Sequence, residues 1–343
     1  MLDIVQWLSM KKDNEKVSKK SQWFLLGLLA VFIGAPNSTI IRIALDGDNG
    51  TDSLTLLLVR FTIVAIIFFI PLYKFVCQKY SVFRKAFKDL LIFSTCTITA
   101  ACTWFVAIEQ SSASYASIIT LLAPIILVIL SAKLVKDKIT RRATAGITLA
   151  AVGGILVVAL PTILHGSAQS DFYPFATLLL LLNCALAPLS IIYQRRTNEQ
   201  GVPFTVSIGF MALLSMSILA VFYVLMAGGD AMITNISTLP WQVWLITIYS
   251  ALIVTFVSRS LAVKSYEYTG AAVQGGLSYL ETLLAIVLPL IILGERLSIE
   301  MMIGTMLILV GVFLAESGGK HHLLKLGFKW HPHHLHHHGK GMR

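Results

Sequence analysis

Ten long apolar runs, separated by short polar gaps, fill most of this 343-residue chain. A helix that crosses a bilayer needs about 20 mostly apolar residues, and each run is close to that length. The runs lack the apolar and polar alternation of barrel strands, and helices satisfy their own backbone in lipid. The sequence therefore predicts an all-α integral membrane protein with ten transmembrane helices, at roughly 22–45, 53–76, 89–108, 112–132, 142–162, 174–194, 203–226, 240–263, 270–293 and 298–316.

The charges are few and their placement is informative. Only 13% of the residues are charged, about half the share that soluble proteins carry. The net charge of +10 would favour a nucleic-acid partner if the Lys and Arg residues shared one face, but they cluster in the even-numbered gaps and in both tails. Such clusters orient a membrane protein. They predict no nucleic-acid partner, and a multi-pass protein with both termini in the cytoplasm. The compact loops favour a plasma (inner) membrane.

The two halves of the chain repeat each other. Segment 107–157 aligns without a gap with segment 265–315, and Ala35-Pro36 in the first run resembles Ala187-Pro188 in the sixth. The unit is five helices, an odd number, so the second copy must enter the membrane in the opposite orientation, as in many secondary transporters. The predicted domains are a cytoplasmic tail (1–21), a first repeat (22–162), an extracytoplasmic linker (163–173), a second repeat (174–316) and a His-rich cytoplasmic tail (317–343).

Glycines mark the repeat most clearly. Gly146 corresponds to Gly304, and Gly153 corresponds to Gly311, at the same seven-residue spacing in both copies. Small residues let membrane helices approach closely. Tight packing within the chain is the favoured interpretation, and the same face could instead form the seam of a homodimer.

Three elements resemble a known family. They are the run Ala107-Ile-Glu-Gln-Ser-Ser-Ala113 that leads into a helix with Pro124, the run Gly294-Glu-Arg-Leu-Ser298, and the Pro36 element of the first helix. Together they resemble the drug/metabolite transporter superfamily in its ten-helix EamA branch, over about 21–317. The resemblance implies a transporter of amino acids, other metabolites, nucleotide sugars or drugs. It also implies a central cavity lined by helices 1, 3, 4, 6, 8 and 9.

An ionisable residue inside a membrane helix is costly and suggests function. Glu281 lies midway along the ninth run, where its carboxyl group cannot reach the membrane surface. It is predicted to couple transport to protons or to recognise a cation; the alternative is a protonated structural group. Arg60 lies deep enough in the second run to pair with a carboxylate or an anionic substrate. Arg42 and Arg259 are predicted to extend towards the membrane surfaces.

The other candidate substrate-binding residues are amide, hydroxyl and aromatic groups on the predicted cavity helices. Most membrane hydroxyls bond back to their own helix, so large amides and rings are the stronger candidates. A proline also bends its helix and frees a carbonyl beside the residues that follow it. The complete predicted set is Asn37, Ser38, Trp104, Tyr115, Asn183, Gln274, Tyr279 and Glu281.

These features predict a secondary transporter of a small organic metabolite, an amino acid or related compound, that works by alternating access. Export is one direction that the prediction allows. The chain has neither a phosphate-binding loop nor a catalytic motif, so we expect neither an enzyme nor a cofactor. The alternative is a divalent metal-cation transporter, because eight of the nine histidines lie in the C-terminal tail and His-rich tracts bind metals. Deleting 320–343 would separate the two.

Overall fold

The computed structural model describes residues 21–45, 51–126, 129–130, 140–165, 173–258, 261–262, 265, 268–269 and 271–318. Nearly all of both predicted tails lies outside these residues, as do residues 166–172 of the predicted linker 163–173 and Asp137, the counterpart of Glu295 in the first repeat.

Every regular element among the described residues is a helix. One short helix spans Gly229–Ser237. The apolar helices are α1 (Ser21–Leu45), α2 (Ser53–Gln78), α3 (Tyr80–Gln110), α4 (Ala113–Ile126), α5 (Arg141–His165), α6 (Pro174–Glu199), α7 (Phe204–Ala227), α8 (Trp241–Ser258), α9 (Ala271–Ile292) and α10 (Ile299–Gly318).

Helix length and hydropathy support the membrane class. Within the described residues, seven helices are long and apolar enough to cross a bilayer: α1, α2, α3, α5, α6, α7 and α8. The described parts of α4, α9 and α10 form shorter apolar helices. Large apolar side chains such as Leu225 and Ile291 point away from the bundle and are 78% and 74% exposed, which suits lipid rather than water. An all-helical membrane protein is therefore confirmed, while the number of ten spans stays a prediction.

The helices pack in pairs that bring distant parts of the chain together. α3 packs along α6, α2 along α7, and α5 along α10, while α4 contacts α9 and α1 lies against α8. Each of these pairs joins a helix before residue 166 to one after residue 173. The interior between them is filled by buried apolar side chains, among them Leu57, Phe61, Phe105, Ile118 and Met211.

The matched glycines meet at the contact between α5 and α10. A Cβ atom on Gly146 would lie 2.5 Å from the carbonyl oxygen of Gly311, and one on Gly153 would lie 2.7 Å from that of Gly304. The residue numbers rise in one helix as they fall in the other, so the helices are antiparallel. These glycines face each other within one chain, so a homodimer, which stays a prediction, would need another surface.

Gly311→Ala is expected to destabilise the protein by about 1–3 kcal/mol, because overpacking a close contact forces backbone shifts. The new Cβ would lie 2.5 Å from the backbone nitrogen of Ala150. Thermal unfolding of the purified protein in detergent would measure the loss. The control is Gly229→Ala, whose Cβ would have no neighbour within 4 Å; equal melting temperatures for the two variants would contradict the prediction.

Candidate functional site

The first helix is broken near its middle. α1 is interrupted by a turn at Ala35 and Pro36 and resumes as Asn37–Leu45. Proline has no N–H group to donate to the preceding turn, so the helical ladder is interrupted there. The hydroxyl of Tyr249 in α8 donates to the carbonyl of Ile33, just before the break, at 2.5 Å. The backbone around the break therefore takes part in a contact with α8.

The facing part of α8 is unusually wide. Residues Tyr249–Ser258 form a π-helix, a geometry that occurs mostly as short insertions and frequently at functional sites. Its hydroxyl groups reach across to α1 on both sides of the break. Ser250 donates to the side-chain oxygen of Asn37 at 2.8 Å, and Ser258 donates to the carbonyl of Ala30 at 2.9 Å.

Glu281 reaches the same break from α9. A Cβ atom added to Gly34 would collide with one carboxyl oxygen of Glu281 and would lie 3.2 Å from the Ser258 hydroxyl oxygen. The missing side chain at Gly34 is thus what makes room for the carboxyl group. One turn along α9, the carbonyl of Ala285 accepts a hydrogen bond from Ser38 at 3.5 Å. Asn37, Ser38 and Glu281 therefore meet around the α1 break.

Arg60 lies on the other side of α8. Its Nη2 atom donates to the Thr255 hydroxyl at 2.9 Å, and its guanidinium carbon lies 5.5 Å from the ring centroid of Phe105. Thr255 in turn donates to the carbonyl of Ser250, five residues earlier, at 2.9 Å. A polar chain therefore runs from Arg60 through α8 to Asn37.

Two other predicted residues make aromatic contacts: Trp104 next to Phe105, and Tyr279 in α9. Trp104 packs edge-on against Phe105 at 5.5 Å between ring centroids, which places it next to the ring beneath Arg60. Tyr279 lies two residues before Glu281 and makes an edge-on ring contact with Phe313 of α10 at 6.1 Å. The side chain of Gln274 lies outside the described residues.

Tyr115 and Asn183 make contacts elsewhere: Tyr115 of α4 contacts α6, and Asn183 of α6 contacts α3. The Tyr115 hydroxyl is 2.5 Å from the Thr177 hydroxyl, and its side chain is buried. Asn183 donates to the carbonyl of Ala100 in α3 at 2.7 Å. Both side chains thus join helices through neutral hydrogen bonds, and the structure does not bring them to the α1 break.

Sequence reasoning missed the polar face of α8 and the room left by Gly34. The one signal was the spacing of hydroxyls in an otherwise apolar run: Ser250 and Thr255 are five residues apart, which is the hydrogen-bond spacing of a π-helix. Nothing in the sequence indicates that Ser258 and Gly34 lie beside Glu281, because that contact joins three helices far apart in the chain.

One end of the bundle, which we call the Glu295 end, is held by a capped helix. The N–H groups at the start of an α-helix lack helical partners, and in α4 those of Ala113, Ser114 and Tyr115 find acceptors. Glu295 accepts from the Ala113 and Ser114 N–H groups at 2.8 and 2.9 Å. The Ser112 hydroxyl accepts from the Tyr115 N–H at 3.1 Å, and the Ser112 carbonyl accepts the first regular helical bond from the Ala116 N–H. An anion at a helix N-terminus also stabilises the helix dipole.

The neighbouring end of α3 is held by a cation. Arg42 donates to the carbonyls of Ile108 and Glu109 at 2.7 and 2.8 Å, a favourable place for positive charge. Ser53 donates to the Glu109 carboxylate at 2.5 Å. Arg42, predicted to extend to a membrane surface, thus fixes the last turn of α3. The two-residue connection between α3 and α4 is therefore fixed by Arg42 on the α3 side and by Glu295 on the α4 side.

The described residues offer little to a metal ion. No group of three or more His, Cys, Asp or Glu side chains among them is placed to hold one. The histidines of the C-terminal tail lie outside the described residues.

Comparisons with known proteins agree with the resemblance noted in the sequence. The sequence model of the EamA-like transporter family matches residues 21–159 and again residues 174–316. No curated protein matches the chain. A solved structure titled "Crystal structure of protein" is 18% identical and matches with a TM-score of 0.55, over 87% of this chain and 98% of that one. At that identity the likeness shows the fold alone.

Proposed function

The chain belongs to the EamA-like transporter family, and from that premise we propose that it is a secondary transporter of a small organic metabolite, an amino acid or related compound. The observation that carries the proposal is the Glu281 carboxyl group at the α1 break, opposite the π-helical part of α8. Ionisable groups inside membrane helices mark substrate and proton pathways, and broken helices form binding sites in many transporters.

We propose further that ten helices span the membrane as two inverted five-helix repeats. Two observations support this. First, Gly146 lies against Gly311 and Gly153 lies against Gly304. Because Gly146 corresponds to Gly304 and Gly311 corresponds to Gly153 in the repeat alignment, the two contacts are equivalent, as expected when one repeat is related to the other by a twofold axis. Second, the packing of α1 on α8 has its counterpart in the packing of α6 on α3. The compact loops favour the plasma membrane, and the charge pattern favours both termini on the cytoplasmic side, which makes the Glu295 end extracytoplasmic.

The proposed site is centred on Asn37, Ser38 and Glu281, and Trp104 is proposed to line it. Substrate would bind beside the α1 break, where backbone and side-chain groups of α1, α8 and α9 converge. Tyr115, Asn183, Gln274 and Tyr279 stay predicted lining residues. In this state Tyr115 joins α4 to α6 and Asn183 joins α6 to α3, so they would reach substrate only after α6 moves relative to α3 and α4.

Alternating access would come from movement of one repeat against the other about the α1 break. The crevice around Arg60 has an empty volume of about 160 Å³, and its walls meet so closely that no water-sized sphere fits. Entry of solute into this crevice would therefore require helices α1, α2, α3 and α8 to part. The turn at Pro36 is a natural bend for that movement.

Flux from purified protein in liposomes tests the proposal. Liposomes would be loaded with amino acids, sugars, nucleosides and divalent metals, with and without a pH gradient. We expect one organic class to leave faster with the gradient. Movement of metals alone would contradict the proposal. For now the metal-transporter alternative has no supporting observation among the described residues.

A further inference from the structure

A permanent cation is built into the helix bundle. Arg60 is the eighth residue of α2, about 10 Å along the helix axis from its first residue at the usual rise. Arginine keeps its charge in proteins, unlike lysine. A charge at such a depth is costly and marks a functional position by default.

The guanidinium group is held in a defined orientation. Thr255 accepts from Nη2 because its hydroxyl hydrogen is already directed to the carbonyl of Ser250, five residues back. A hydrogen bond between residues five positions apart is typical of a π-helix. The widened turn of α8 therefore orients the Thr255 hydroxyl towards Arg60. On the other side, the ring of Phe105 faces the guanidinium, a contact that fixes the plane of the group.

The surrounding crevice has a definite chemistry. Apolar walls come from α1, α2, α3 and α8, and hydroxyls come from Thr247 and Ser250. Among the described residues that line the crevice, Arg60 is the only charged one; the full lining is Ile41, Leu56, Arg60, Phe105, Ile246, Thr247 and Ser250.

We propose that Arg60 binds the carboxylate of the transported metabolite. A planar guanidinium binds a carboxylate through two parallel hydrogen bonds. A single cation matches a monoanion better than a phosphate dianion, and the apolar walls suit a short hydrophobic side chain. The inference rests on the proposed transport function and names its substrate class: compounds that carry one carboxylate next to a small apolar group.

Paired ligands test this directly. The full-length protein in lipid nanodiscs would be titrated with alanine, leucine and phenylalanine and with the amide of each. The amide keeps the ammonium group and side chain and removes the negative charge. We expect at least one acid to bind at least about tenfold more tightly than its amide, because the amide cannot form the charge-assisted hydrogen bond with Arg60.

Variants assign that preference to Arg60. Arg60→Gln is expected to abolish the preference for acids, and Arg60→Lys to weaken acid binding about tenfold while keeping the preference. Thr255→Val keeps the shape of the side chain but removes the orienting hydroxyl, so the preference should fall severalfold. The control is Thr148→Val on α5, whose exposed hydroxyl bonds only to Thr144; it should change nothing. If Arg60→Gln does not fold, the lysine and Thr255 variants carry the test.

The outcomes separate this inference from the proposed function. Release of the same compounds from loaded liposomes is measured in parallel. If amides bind and move as well as acids, or if Arg60→Gln keeps the preference for acids, transport stands and the role of Arg60 is wrong. If no member of this panel or of the wider solute panel binds or moves, both are wrong. Preferential binding and release of acids, lost in Arg60→Gln, would support both.

Discussion

Glu281→Gln is expected to abolish the pH dependence of transport and to lower gradient-driven flux at least about tenfold, as for other ionisable groups within membrane helices that act in a proton pathway. Glutamine has nearly the shape of glutamic acid and still forms hydrogen bonds, but it cannot bind and release a proton. The side chain lies beside Gly34 and Ser258, so an isosteric amide can occupy the same space and the fold should survive. Initial rates in liposomes, with the internal and external pH varied independently, measure the effect.

Three companion variants sharpen the result. Glu281→Asp keeps the titrating group one carbon shorter, so pH dependence should persist with a lower rate. Gly34→Ala would push the carboxyl group aside, so it should lower flux without removing the response to pH. Asp230→Asn removes an exposed carboxylate from the short helix after α7 and should have no effect. An unchanged response to pH in Glu281→Gln would exclude Glu281 as the coupling residue.

The parts of the fold that depend on local composition could be predicted. Each apolar run forms its helix independently of its neighbours, because length and hydropathy suffice in a membrane. Glu281 stood out for the same reason, since one carboxyl group in an apolar run is conspicuous at any position in the fold. Gly146, Gly153, Gly304 and Gly311 were predicted to pack, but only the structure identifies α10 as the partner of α5.

Hydroxyl groups show why the rest could not be predicted. Thr247 and Thr282 donate to the carbonyls four residues earlier in their own helices, the common behaviour of such side chains in membranes. Ser250 and Ser258 lie in the same kind of sequence, yet they donate across to α1. What separates the two groups is the π-geometry of α8 and the neighbouring broken helix, and both are tertiary features.

Glu295→Ala is expected to destabilise the protein by about 2–6 kcal/mol, because two N–H groups at the start of α4 lose their acceptor at a cost of about 1–3 kcal/mol each. Ala113 and Ser114 are fully buried, so water does not readily replace the carboxylate. Gly294 supports the contact, since its backbone has a φ of +65°, a conformation that favours glycine. Thermal and denaturant unfolding measure the loss. Glu199→Ala removes a carboxylate from an exposed ion pair with Arg195 and should cost less than about 1 kcal/mol.

Glu295→Ala also bears on the transport cycle. Glu295 follows α9 in the second proposed repeat, whereas Ala113 and Ser114 begin α4 in the first, so this carboxylate joins the two repeats at the Glu295 end. An interaction present in one state and absent in the other shifts their populations about tenfold for each 1.4 kcal/mol. Glu295→Gln, which keeps one acceptor and loses the charge, should therefore be intermediate in stability but should already favour opening at this end. Crosslinking yields between cysteines placed on the two repeats there would fall in both variants; unchanged yields would mean that the cap stabilises α4 alone.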